Sequence, residues 1–217
     1  MKVLMNTGGI AQTNSFLVVD EAAKQAVIFD APDHTTGQLI DEARNNGWDV
    51  IGLWLTHGHF DHVWDHAVVT RAFPNAKVLF HELEQPKLLR PDVQTRMFGL
   101  PSSLGPLKAD AYVTDGQELF IGAIRVVVIH TPGHAPGHVV YHMPREKALV
   151  GGDLIIGGSI GRTDLPDSRH EQLEASVRKV MTLPPDTRLL PGHGEPVTLG
   201  QEMENNAYVR QIVGEAP

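Results

Sequence analysis

The sequence contains no cysteine, which excludes a disulfide framework, thiolate catalysis and cysteine zinc sites together. Any metal must be held by His, Asp or Glu. No uninterrupted apolar run approaches the roughly 18 residues of a membrane span. A surplus of cations is also missing: 18 Lys and Arg stand against 26 Asp and Glu, a net charge of −8, and they are scattered without a basic run. That balance excludes wrapping a nucleic-acid backbone. The start, MKVLMNTGGI, offers one lysine and too few apolar residues after it for a secretory core. The sequence therefore predicts a cytoplasmic protein with neither membrane nor nucleic-acid partners. Its 217 residues and 41 % apolar share suit one domain over 1–217 with a well-buried core.

Histidine is plentiful, with 12 in the chain, and three of them fall in LTHGHFDH (55–62) beside an aspartate. Short β-branched runs precede this motif. NSFLVVD (14–20) and QAVIFDAPD (25–33) read as paired strands, the second stopped by Pro32. From Thr35 the spacing of Leu39, Ile40 and Ala43, ended by Asn45-Asn46-Gly47, predicts a helix. DVIGLWL (49–55) is a continuous apolar run suited to a strand buried on both faces. VWDHAVVTRAF (63–73) has helical spacing up to Pro74, and AKVLF (76–80) is a further strand, which makes a βαβ unit.

Prolines and glycines recur across 84–110, which reads as an irregular surface insertion. Strand-like runs return in AYVTDG, QELFIG and AIRVVVIH (111–130), HVVYHM (138–143) and KALVGGD (147–153). QLEASVRKVMTL (172–183) predicts a helix, TRLLPGHGE (187–195) opens on a strand, and QEMENNAYVRQIV predicts one last helix.

Four strand ends share one grammar. DVIGLWL leads into His57, His59, Asp61 and His62; AIRVVVIH leads through T-P-G to His134; KALVGG leads to Asp153; and TRLL leads through P-G to His193. Loops beyond the carboxyl ends of strands in layered α/β proteins converge to build sites. A closed structural zinc takes four ligands, and these seven donors without a thiolate suit two ions. Two-metal hydrolytic sites hold their ions about 3.5–4 Å apart around a shared water. Such a water can titrate near pH 7, so the implied reaction is hydrolysis of a carbonyl or phosphoryl compound.

THGHFDH, TPGH, the aspartate after a glycine pair and PGHGE, in this order, resemble the metallo-β-lactamase superfamily. QTRMFGL (94–100), TPGHAPGHVV (131–140), GGSIGRTDLP (157–166) and LPPDTRLLPGHGE (183–195) are similar to its short glyoxalase II-like members. The resemblance covers nearly the whole chain. It implies an α/β four-layer αββα sandwich of two mixed sheets with helices on the outer faces. It places His57, His59 and His134 on one ion, Asp61, His62 and His193 on the other, and Asp153 between them.

The implied activity is hydrolysis of S-D-lactoylglutathione to D-lactate and glutathione. A metal-bridging hydroxide attacks, Asp61 orients it as the catalytic carboxylate, and two divalent ions, zinc foremost with iron or manganese as alternatives, serve as cofactors. The implied partner is a small thioester such as a glutathione conjugate. Arg162 stands where the family binds a glutathione carboxylate, although Thr163 and Asp164 replace the aromatic residues found beside it there. ENNAYVR (204–210) departs from the Arg-x-Asn-Pro tail of the short members, and the C-terminal helical region of full-length glyoxalase II is not matched. Other reactions on the same scaffold, a lactonase or a single-iron persulfide dioxygenase, stay open, as does a zinc-binding module without catalysis. Acyl group, metal identity and oligomeric state stay open too.

Other residues have plainer readings. His66 reads as surface or as support for the ligands, and His138 as a residue that orients a loop. Asp30 is balanced between ligand support and a turn, and Arg162 between a substrate contact and an ion pair with Asp164. Arg96, Met97 and Phe98 read as packing of the insertion. Gly157 to Gly161 matches Gly-x-Ser-x-Gly around Ser159, with Asp167 and His193 following in triad order. A nucleophile elbow must lead straight into a helix, and Pro166 with its neighbouring turn formers prevents one there.

Overall fold

The computed structural model describes residues 1–100 and 104–214. Six strands form the first sheet in chain order: β1 (Lys2–Gly8), β2 (Thr13–Asp20), β3 (Gln25–Phe29), β4 (Asp49–Trp54), β5 (Lys77–His81) and β6 (Ala111–Val113). The first three pair antiparallel, and β3 to β6 run parallel. The second sheet is built from β7 (Glu118–Ile121), β8 (Ile124–His130), β9 (Val139–Met143) and β10 (Ala148–Gly152). After a small hairpin, β11 (Ile155–Ile156) and β12 (Ser159–Ile160), it is completed by β13 (Arg188–Pro191) and β14 (Val197–Thr198). Only β10 and β13 are parallel there.

The two-residue period of a strand explains how the layers stack. In β2, Phe16 and Val18 face one way while Leu17 and Val19 face the other; in β3, Val27 and Phe29 alternate with Ala26 and Ile28 in the same manner. Phe16, Val27, Phe29 and Trp54 meet Val126, Tyr141, Met143 and Leu190 of the second sheet in a central core. Phe29, Trp54 and Tyr141 hold ring centroids 5.1–5.9 Å apart. The opposite face of the first sheet packs on α1 (Thr36–Asn45), α2 (Phe60–Val63), α3 (His66–Ala72) and Leu88 of α4 (Gln85–Leu89). The segment between β5 and β6 continues into α5 (Pro91–Met97), and the outer face of the second sheet packs on α6 (His170–Val180), α7 (Leu199–Asn205) and α8 (Ala207–Gly214). Each fully buried aliphatic or aromatic side chain in these layers contributes about 1.5–3 kcal/mol. The expected αββα sandwich is what the chain forms. Among the described residues no helix is long and apolar enough to cross a membrane.

The structure corrects four expectations about elements. MKVLMNTG, read only for its lack of a signal, is the edge strand β1. The single helix expected over 63–73 is broken between α2 and α3, because the Asp65 amide leaves the helix path to bond the Ala31 carbonyl at 2.7 Å. The stretch 84–110 is largely helical up to Met97, with a turn of 3₁₀ helix at Glu82–Glu84 before α4 and α5; residues 101–103 of it lie outside the described residues. The last helix is two helices, since the Asn206 side-chain oxygen accepts from the Tyr208 and Val209 amides and so starts α8 afresh.

Candidate metal centre

The seven expected donors lie together where the ends of β4, β8, β10 and β13 meet. Hydrogen bonds between the sheets fix this end: Val139 N to Thr56 O at 2.9 Å, Tyr141 OH to Leu55 O at 2.9 Å and Asn14 N to Gly192 O at 2.7 Å. The Asn14 amide also donates to the Pro191 and Gly194 carbonyls at 2.9 and 2.8 Å, holding the loop that carries His193.

His57, His59 and His134 form one set. His59 Nδ1 lies 3.0 Å from His57 Nε2 and 2.8 Å from His134 Nε2. Three nitrogens bound tetrahedrally at zinc distances would stand roughly 3.3 Å apart, so this set is close to the spacing an ion requires. Asp61, His62 and His193 form another, with Asp61 Oδ2 3.7 Å from His62 Nε2 and 3.6 Å from His193 Nε2. Asp153 stands between the sets: its Oδ2 is 3.5 Å from His134 Nε2 and 3.3 Å from His193 Nε2, and its Oδ1 is 3.2 Å from His62 Nε2. His62 Nε2 and Asp153 Oδ1 are buried and have no hydrogen-bond partner. Buried polar atoms are ordinarily satisfied, so two such atoms facing a cluster of donors fit a bound cation. The chain carries a divalent metal site.

Outer hydrogen bonds assign which nitrogen of His57, His62, His134 and His193 faces that point. The Asp30 carboxylate accepts from Thr56 N and Thr56 Oγ1, both at 2.8 Å, and lies 2.9 Å from His62 Nδ1. Since the Thr56 hydroxyl spends its proton on Asp30, it accepts from His57 Nδ1 at 3.0 Å, leaving Nε2 with its lone pair inward. His134 Nδ1 donates to Arg162 O at 2.9 Å and His193 Nδ1 to Ala11 O at 3.1 Å, with the same result. Asp30 is thus ligand support as well as a turn, its backbone at a positive φ of 55°.

Charge follows the geometry. Burial, reinforced by the neighbouring imidazoles, holds His57 well below the ordinary histidine range, and burial with Lys87 does so for His59. Burial opposes charge on His62 also, yet Asp153, Asp61 and Asp30 push it well above that range. Burial alone would raise Asp153, but His62 and His193 hold it well below the usual carboxylate range. His57 and His59 are therefore held as neutral lone-pair donors, while around His62 and His193 the carboxylates of Asp61 and Asp153 offset the cost of burial.

Two further features build the frame, a glycine beside a ligand and a buried carboxylate far from it in sequence. A Cβ on Gly192 would fall 2.2 Å from Asp153 Oδ1 and 2.8 Å from the His62 ring, so only glycine lets this loop approach. Glu84, fully buried, accepts from Gly58 N at 2.8 Å and Gly137 N at 2.7 Å, tying the His57 loop to the His134 loop, and pairs with Lys87 at 3.2 Å. Nothing in HELEQPK distinguishes this carboxylate from its exposed neighbours. His138 Nε2 accepts from the Asp153 amide at 3.0 Å, so it orients the ligand loop as expected and does not face the centre. His66 is neither surface nor support: it is buried and bonds the Gly105 carbonyl at 3.1 Å.

A cleft of about 400 Å³ opens over the donors. Arg162 lines it, with its guanidinium paired to both Asp164 oxygens at 2.6 and 2.7 Å. Lys87 lines it too, held by Glu84 and by Asp167 at 2.9 Å. Met97 and Phe98, expected as packing, are exposed and form part of its wall, whereas Arg96 pairs with Asp92 at 2.6 Å. Ser159 lies on β12, its hydroxyl 3.5 Å from the Ile160 carbonyl, and no helix follows before His170.

Comparison with known proteins agrees with this geometry. Residues 8–193 match the family model described as metallo-beta-lactamase superfamily. The hydroxyacylglutathione hydrolase GloC of Haemophilus influenzae is 32 % identical over 207 residues, 91 % of this chain and 93 % of that protein. Among solved structures, the BLEG-1 B3 metallo-beta-lactamase superposes with a TM-score of 0.87 at 35 % identity, covering 96 % of this chain and 99 % of the other. TTHA1623 in a di-iron-bound form gives a TM-score of 0.83 at 34 % identity over 94 % and 99 %.

Proposed function

The chain belongs to the metallo-beta-lactamase superfamily and is a metal-dependent hydrolase, and from that premise we propose that it is a dinuclear, glyoxalase II-like thioesterase acting on S-D-lactoylglutathione. The observation that carries this reading is the division of the donors into two sets with Asp153 reaching both. The 32 % identity to a hydroxyacylglutathione hydrolase supports the substrate. His57, His59 and His134 would hold one ion, Asp61, His62 and His193 the other, with Asp153 shared. Zinc or iron would suit these ligands, and the di-iron form of a relative supports two ions. Two such ions supply a water acidic enough to attack near neutral pH and polarise the scissile carbonyl.

The chain's own residues do the rest. Asp61 Oδ2 accepts from Thr13 Oγ1 at 2.9 Å, which fixes the carboxylate at the rim of the centre, where it would orient the attacking water. A thiolate leaves without help from a strong acid, and Arg162, released from Asp164, would meet a glutathione carboxylate.

The test is hydrolysis of S-D-lactoylglutathione by metal-replete protein with His59→Ala beside it. Turnover that vanishes in the variant establishes the thioesterase; no turnover in either removes it. A second reading, opening of a β-lactam ring, is favoured by the likeness to BLEG-1, and the same protein assayed on a penicillin separates the two.

A further inference from the structure

Above its floor of donors, the cleft is divided in what it offers a substrate. Its cationic and amide side chains are paired within the protein in this structure, Arg162 through an exposed ion pair. Arg162 is bidentate to Asp164, and Lys87 sits between Glu84 and Asp167. Gln94 bonds the Gly58 carbonyl at 2.9 Å and the Phe60 amide at 3.1 Å. Its exposed apolar side chains are Ile10 at 74 %, Met97 at 57 % and Phe98 at 44 %, all on the cleft wall, with one face of Phe98 against Phe60. Large apolar groups left uncovered together mark a place where something apolar binds.

A second cavity of about 200 Å³ adjoins the first, sharing Ile10, Phe60, Asp61 and Leu100 with it and extended by Trp64. Its polar wall residues are Asp61, itself a donor of the metal centre, and Asp33, whose carboxylate is paired with His34 Nδ1 at 2.6 Å; the rest of the wall is apolar or glycine. A group attached to a carbonyl on the floor therefore enters this cavity directly. Biological thiol carriers bear amides and carboxylates that require hydrogen-bond partners, and an acyl chain requires none.

We propose that this apolar part of the cleft is an acyl pocket, and that the thioesters cleaved best carry an unbranched apolar acyl chain of medium length. The inference rests on the thioesterase reading, and it names a substrate class beyond the small, polar lactoyl group. Full burial of one methylene multiplies affinity by about fourfold, so a chain that reaches the second cavity gains measurably over acetyl.

The experiment uses metal-replete full-length protein with the acetyl, butanoyl, hexanoyl and octanoyl thioesters of N-acetylcysteamine, and S-D-lactoylglutathione in parallel. The expected result is a rise in kcat/KM of at least about tenfold from acetyl to hexanoyl. In Phe98→Ser and Met97→Ser the hexanoyl-to-acetyl ratio is expected to fall at least about fivefold. The ratio is taken within one preparation, so partial misfolding cancels. A flat or falling series, with lactoylglutathione still hydrolysed, overturns the acyl pocket and leaves the thioesterase standing. A series that rises while lactoylglutathione is inert supports the pocket and replaces the glutathione substrate. No turnover of any thioester overturns both.

Discussion

Asp30 and His62 are joined by a 2.9 Å contact between a fully enclosed carboxylate and the imidazole nitrogen that faces away from the metal centre. The same carboxylate reaches His57 through the Thr56 hydroxyl, so one residue aims a donor of each set. Loss of such an outer partner ordinarily costs about 10–100-fold in metal affinity. Asp30→Asn should therefore bind metal at least about tenfold more weakly, with its circular dichroism spectrum kept. Competition with a fluorescent chelator measures this, and an unchanged affinity would show that the ligands need no aiming.

Glu84→Ala addresses the carboxylate that joins two ligand loops. The substitution leaves the Gly58 and Gly137 amides buried without acceptors, and Lys87 without its buried partner. Each unsatisfied buried donor costs about 1–3 kcal/mol, so urea unfolding should show a loss of about 3 kcal/mol. A loss below about 1 kcal/mol would mean that water or a neighbour replaces the carboxylate. Glu84→Gln, which keeps one acceptor, should fall between.

How much of this was legible in the sequence depends on the range of the interaction. The donors were legible because strand periodicity and Pro-Gly punctuation are local, and each donor follows a strand end. The sandwich was legible through the resemblance together with the alternation of Phe16, Leu17, Val18 and Val19 between two cores. Glu84 was not, because its partners lie 26 and 53 residues away and its own neighbours are ordinary polar residues. The break at Trp64 and Asp65 was hidden for the same reason, since a tertiary bond to Ala31 overrides a favourable helical spacing. Phe98 packs on Phe60 as expected, but the exposure of Met97 and Phe98 on the cleft wall depends on distant loops that local sequence does not encode.

Gly192→Ala tests the close approach of the His193 loop. The added carbon has no room beside Asp153 and His62, so one of them must move by about an ångström. A displacement of that size in reacting groups costs about a hundredfold in rate. The variant should stay folded, since the strain falls on a loop, and lose at least about a hundredfold in kcat. Thermal unfolding and steady-state kinetics on one preparation separate the two effects. Equal loss of stability and activity would place Gly192 in the fold and not at the chemistry.

The last prediction sets metal against serine. Ser159→Ala should keep kcat/KM within about twofold, because the hydroxyl bonds the adjacent Ile160 carbonyl and no helix follows to lift it toward a substrate. Exhaustive chelation should instead abolish turnover and lower the melting temperature, since a ligand that binds the native state alone stabilises it by mass action. The buried, unpartnered His62 Nε2 and Asp153 Oδ1 make that stability loss specific to this centre. Restoring the ion should return both properties together, read by calorimetry and by assay on one sample. A serine hydrolase would give the inverse pattern, with activity lost in Ser159→Ala and indifferent to chelation.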